Sequence, residues 1–124
     1  MGENIIEITE HSFPCDVCGK PAGTVKLLKH ETYSSFEIKG FISEISGGIQ
    51  YGQYEKFYTA LKNNDPGTLF RMDFEYAPFY CPECNRCYCS DHWKYWIIYD
   101  EEEPSYFDYI KGICPKGHKR MLED

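Results

Sequence analysis

A small α+β fold organised around clustered cysteine and histidine follows from three observations. Several short stretches alternate as strands do, one stretch has helical periodicity, and four closely spaced Cys/His pairs sit in a chain of 124 residues. A chain this short buries a limited share of its surface, and domains of this size are often stapled by disulfides or metal. The apolar share of 42% supports a modest core, to which eleven tyrosines and eight phenylalanines bring large buried areas. One domain spanning residues 1–124 is expected.

In chain order, residues 4–8 read as a short strand, and 13–23 (FPCDVCGKPAG) are dense in turn formers. Residues 24–30 and 35–42 read as strands, and Ser46-Gly47-Gly48 as a break. A helix is predicted over 50–63, where Tyr51, Tyr54, Tyr58 and Leu61 recur at the spacing of one helical face and Phe57 widens the stripe. Asn63-Asn64-Asp65-Pro66-Gly67 ends it. Over 68–76, Phe70, Met72, Phe74 and Tyr76 alternate with Arg71, Asp73 and Glu75, the pattern of a half-buried strand. Residues 93–99 and 106–113 flank Asp100-Glu101-Glu102-Glu103-Pro104 as a hairpin, and 117–124 reads as one or two turns of helix.

The choice of staple rests on compartment and spacing. No basic segment followed by an apolar stretch opens the sequence and no apolar run is long enough to span a bilayer, so a cytoplasmic location is expected, where thiols stay reduced. Cysteine pairs at short spacing then read as metal ligands, and an odd total of seven fits a disulfide framework poorly. The pairs are Cys15-x2-Cys18, Cys81-x2-Cys84, Cys89-x2-His92 and Cys114-x3-His118. Zinc takes four N or S donors in a tetrahedron, and a two-residue gap lets the backbone fold into a knuckle that aims two donors at one ion. Four pairs make two Zn2+ sites with no position left for water, the mark of structural rather than catalytic zinc. Gly19, just after Cys18, suits the sharp turn a knuckle needs, as does Gly117 before His118.

Competing chemistries find less support. A thioredoxin-like redox pair expects a βαβ setting that no Cys-x-x-Cys has here, and the H-x-E of zinc deaminases is missing. No nucleophile–base constellation stands out, so no enzymatic activity is expected. Cys87 also lies at Cys-x-x-Cys spacing from Cys84, so it is either an alternative ligand or a spare thiol. His11 and His30 have no partner at metal spacing.

The run Cys81-x2-Cys84-x4-Cys89-x2-His92 resembles the centre of treble-clef zinc fingers of the FYVE kind, and RING domains share the same cross-braced ligand logic. The resemblance implies that pairs one and three share one ion, Cys15, Cys18, Cys89 and His92, while Cys81, Cys84, Cys114 and His118 hold the other. It implies a treble-clef-like binuclear core of residues 13–23 and 78–124. The 62 residues between Cys18 and Cys81 exceed what these families usually have, and about 24–77 would be an inserted ββαβ segment. The basic phosphoinositide motif of FYVE domains is missing, since Ala77-Pro78-Phe79-Tyr80 precede Cys81. Sequential pairing, one with two and three with four, would instead give a four-thiolate site and a two-thiolate, two-imidazole site.

A net charge of −7 disfavours nucleic acid and anionic membranes, both of which attract basic surfaces. The expected function is a protein-interaction module, an adaptor or an antitoxin- or immunity-type inhibitor of a basic partner, with Phe79, Tyr80, Trp93 and Trp96 as its aromatic patch. A RING-like ligase factor using Val17 and Trp93 is the alternative, and a nucleic-acid-binding finger the next. Structural zinc contributes on the order of 10 kcal/mol of folding free energy in small fingers. Chelation is therefore expected to unfold at least the C-terminal half, read as loss of far-ultraviolet circular dichroism; full retention of secondary structure would refute it.

Overall fold

The computed structural model describes residues 4–103 and 107–124. Twelve elements are assigned among them: β1 (Ile5–Pro14), β2 (Pro21–His30), β3 (Ser34–Lys39), β4 (Ile45–Gly48), α1 (Tyr54–Lys62), α2 (Pro66–Met72), a 3-10 turn (Phe74–Tyr76), β5 (Tyr80–Cys81), β6 (Arg86–Cys87), β7 (Lys94–Tyr99), β8 (Phe107–Ile113) and β9 (Lys119–Glu123). The class is α+β. Three antiparallel sheets form, with orders β1-β2-β3-β4, β5-β6 and β7-β8-β9.

The four-stranded sheet is built by hairpins in sequence order. Its inner face carries Phe13 from β1, Val25 and Leu27 from β2, and Phe36 and Ile38 from β3, at most 6% exposed. These positions alternate along each strand, as the pleat requires. Facing outward are the cross-strand pair Glu10 and Lys26, whose charged groups lie 3.6 Å apart, and Ser12 hydrogen-bonded to Thr24. Helix α1 buries Phe57, Ala60 and Leu61. Phe36, Phe57 and Tyr76 meet edge-on or tilted with centroids 4.9–6.2 Å apart, joining sheet, helix and 3-10 turn.

Several local expectations are corrected. β1 is twice the length read from residues 4–8 and runs into the first knuckle, because its partner β2 extends the ladder to Pro21. The Ser46-Gly47-Gly48 break is part of β4: Gly47 lies under the Phe36 ring, where a Cβ would come within 3.1 Å. The helix predicted from residue 50 begins at Tyr54, after a turn in which Gly52 has φ +87° and the Gln53 amide donates to the Gln50 carbonyl. Its buried face centres on Phe57, while Tyr51 is fully exposed.

The clearest correction is the strand expected over 68–76, which is helix α2 followed by the 3-10 turn. Asp65 caps α2, accepting from the Thr68 amide at 3.1 Å and its hydroxyl at 2.6 Å, and Pro66 occupies the first turn. Leu69, of the parity opposite to the supposed apolar face, is the residue fully buried. The 24–77 segment is therefore not ββαβ. Residues 119–123, expected to be helical, form β9, where Leu122 fills the space above Gly112. The predicted hairpin is present as β7 and β8; Tyr106, read as the first residue of its second strand, lies outside the described residues.

Phe79 joins the large sheet to the cysteine-bearing half. It is fully buried, stacks on Phe13 at 5.3 Å, and lies over Gly23 so closely that a Cβ there would fall 2.5 Å from its ring. Gly23→Ala is expected to destabilise the protein by about 1–3 kcal/mol through this overlap. Urea unfolding of the two proteins side by side tests it, and an unchanged midpoint would show that the ring yields freely.

Candidate metal centre

Local turns build each donor pair. In the first knuckle the Cys15 amide donates to the Lys20 carbonyl at 2.7 Å and the Gly19 amide to the Cys15 carbonyl at 2.9 Å, with Gly19 at φ +78°. The second repeats the turn with Asn85, at φ +55°, donating its amide to the Cys81 carbonyl. Asparagine is among the few non-glycine residues that tolerate this region, and the Tyr80 hydroxyl donates to its side-chain oxygen at 2.6 Å. The third pair closes through the His92 amide on the Cys89 carbonyl, and the fourth through Gly117, φ +94°, on Cys114. That last pair lies in the β8–β9 hairpin, whose strands it joins.

Tertiary structure gathers the eight residues into two groups, Cys15, Cys18, Cys89, His92 and Cys81, Cys84, Cys114, His118, with the donor atoms of each within 4.8 Å of one another. In the first group Cys18 and Cys89 sulfurs are 3.7 Å apart, and His92 Nδ1 lies 3.2 Å from Cys89 and 3.5 Å from Cys15. In the second, Cys84 and Cys114 sulfurs are 3.8 Å apart, and His118 Nδ1 lies 3.1–3.5 Å from all three thiols. Zinc–sulfur bonds of ~2.3 Å and zinc–nitrogen bonds of ~2.0–2.1 Å in a tetrahedron imply edges of roughly 3.8 Å between sulfurs and roughly 3.5 Å between sulfur and nitrogen. The observed spacings fit those edges and are far longer than the ~2.05 Å of a disulfide. Each group can hold one divalent ion with four protein donors, consistent with two zinc sites.

Sulfur charge is managed from the backbone. Burial opposes ionisation of Cys15, but the amides of Cys18, Cys89 and Val17 outweigh it and bring the thiol down to about 6. Cys114 is likewise held below its ordinary value despite burial, by the amides of His118 and Lys116, which lie 3.4 and 3.3 Å from its sulfur. Burial pushes Cys81 up to about 12 and Cys89 up to about 11. Each group thus has one thiol held below its ordinary value and one pushed above it. Crowded thiolates of that kind are what a divalent cation neutralises.

Three supporting residues carry no signal in the sequence. Glu83, between Cys81 and Cys84, sets a carboxylate oxygen 3.3 Å from His118 Nε2, which orients the ring and leaves Nδ1 for the cluster. Asn85 takes the positive-φ place that Gly19 holds in the first knuckle. Arg120 on β9 donates to the backbone carbonyls of Phe74 at 3.1 Å, Ala77 at 3.0 Å and Tyr80, and its guanidinium stacks 4.9 Å from the Phe70 centroid. It is a second donor to the Phe74 and Ala77 carbonyls, which also accept the Ala77 and Tyr80 amides, and it ties the irregular run before Cys81 to β9.

Cys87 belongs to neither group. Its side chain is buried, which pushes the thiol up to about 12, and its carbonyl accepts the Asp16 amide at 2.8 Å. His11 meets Asn64 at 2.8 Å and His30 meets Ser35 at 2.9 Å, both away from the clusters. Among the aromatic residues expected at a partner surface, Phe79, Tyr80 and Trp93 are core, at 0, 4 and 3% exposed. Phe79 is occupied by Gly23 and Phe13, Tyr80 by Asn85, and Trp93 by Tyr88 and the Phe79 carbonyl, to which its indole N–H donates at 3.3 Å. Trp96 is exposed at 47%. No helix among the described residues is long and apolar enough to cross a membrane.

Residues 4–124 match the family described as Domain of unknown function (DUF8328), so the chain belongs to that family. Neither the curated proteins nor the solved structures gave a match.

Arg120→Lys is expected to destabilise the protein by about 2 kcal/mol, because one ammonium lacks the planar fork that reaches three separated carbonyls and gives up at least one of these charge-assisted hydrogen bonds. Thermal unfolding of the zinc-loaded variant tests this, and a midpoint equal to the parent's would refute it.

Proposed function

We propose that this member of the DUF8328 family is a non-enzymatic zinc-binding protein-interaction module. Cys15, Cys18, Cys89 and His92 would hold one structural Zn2+, and Cys81, Cys84, Cys114 and His118 the other. The observation that carries the reading is the tetrahedral spacing of two complete Cys3His donor sets. Four protein donors leave no coordination position for water or substrate, which suits a structural ion better than a catalytic one. The likeness to treble-clef and RING domains rests on the order in which the donor pairs alternate between the two groups. An acidic chain, −7 in net charge, supports a basic protein partner, as an adaptor or an inhibitor of the antitoxin or immunity type would meet.

The other readings have less behind them. A RING-like ligase factor would use Val17 and Trp93; Val17 is exposed at 55%, but Trp93 is buried. Nucleic-acid binding runs against the charge.

Native mass spectrometry of paired substitutions tests the assignment. The parent is expected to carry two zinc ions. Cys15→Ser with Cys89→Ser removes two donors from one set and is expected to leave one ion, whereas Cys15→Ser with Cys81→Ser damages both sets and leaves none. The opposite pattern would establish sequential pairing, and two ions retained in both variants would overturn the ligand assignment.

A further inference from the structure

β7 is the open edge of its sheet: β8 occupies one side, and no strand pairs with the other among the described residues. Edge strands in soluble proteins are usually blunted by an internal charge, a proline or a bulge turned outward. Lys94–Tyr99 reads KYWIIY, with neither charge nor proline inside it; the register shift of its ladder between Ile98 and Tyr99 places the extra residue on β8, and Tyr95, Trp96, Ile97 and Tyr99 are 42–52% exposed. Lys94 begins the strand without an ion-pair partner among the described residues, and Asp100 follows it. Asp100 uses one carboxylate oxygen to accept the amides of Glu102 and Glu103 at 2.8 and 3.0 Å.

We propose that β7 pairs antiparallel with β7 of a second copy across a two-fold axis at Ile97, giving a six-stranded sheet. The register follows from parity and charge. Backbone groups pointing out of an edge come from alternate residues, and in an antiparallel pair such residues face each other. Facing residues of two identical strands therefore share parity, so a residue must sit on the axis. With Ile97 there, Tyr95 faces Tyr99 of the second copy, Trp96 faces its Ile98, and Lys94 faces its Asp100. Every apolar residue of the strand meets an apolar one, and both ends carry opposite charges. Moving the axis to Trp96 sets Lys94 against Ile98, and moving it to Ile98 sets Trp96 against Asp100. Aromatic and β-branched cross-strand pairs are among the favourable ones, and charges placed opposite at the ends select this pairing over others.

Sedimentation equilibrium of the full zinc-loaded chain, with zinc content and circular dichroism as folding controls, tests the proposal. A dimer is expected at about 100 µM, with dissociation constants raised at least about tenfold by Lys94→Glu and by Ile97→Lys. The charge-exchanged chain, Lys94→Glu with Asp100→Lys, is expected to regain the dimer. Deuterium exchange of the β7 amides, expected to slow as concentration rises, reads the same edge without a substitution. A dimer indifferent to both single substitutions, or no recovery in the exchanged chain, would overturn it. So would a monomer at every concentration with freely exchanging β7 amides, leaving the edge to a strand of another protein.

Discussion

The architecture depends on the meeting of Cys15 and Cys18 with Cys89 and His92. Seventy residues separate Cys18 from Cys89, and closing a loop of that size costs on the order of 4 kcal/mol in chain entropy. Something in the intervening chain must offset that cost, and the β1–β4 sheet does so. It starts before the first knuckle, reaches it at Pro14, leaves it at Pro21, and buries Phe13 against Phe79, two residues before Cys81. The knuckle is thus a bend inside one β-hairpin, held over the second half of the chain by the core beneath it.

The short β5–β6 hairpin is the crosspiece between the two donor groups. Cys81 and Cys84 belong to one group, Cys89 just beyond β6 belongs to the other, and the Cys87 carbonyl receives the Asp16 amide from the first knuckle. Only a few peptide units of this hairpin therefore separate the two groups. Arg120 adds a clamp of another kind. Where the clusters gather sulfur and nitrogen, its guanidinium gathers three backbone carbonyls, and it binds the C-terminal strand to the turn that introduces Cys81.

Sequence was most informative where the determinant is local. Spacing within a pair decides a knuckle, so the eight residues that the fold gathers into two groups could be picked out from their pairs, as could the helix near residue 57 and the hairpin of β7 and β8. It misled where two local signals compete. Over 68–76 the two-residue alternation of Phe70, Met72, Phe74 and Tyr76 suggested a strand, but the Asp65–Pro66 start signal prevailed, and Leu69 on the unexpected face entered the core. It was silent where the determinant is distant. Only the pairing with β8 makes residues 119–123 a strand, and only Phe36 explains why Gly47 lies in one. The aromatic residues beside the donors looked like a surface because sequence reports their chemistry and not their cover; three of the four are walls of the core around the clusters.

Interleaved donors also impose a timetable. During synthesis Cys15 and Cys18 precede the rest of their set, which is incomplete until His92 has been added, and the second set waits for His118. With sequential pairing, a full set would exist at Cys84. As built, neither set is complete until His92 has been made, so a metal ion held by four protein donors would enter only after β1–β6 have been synthesised.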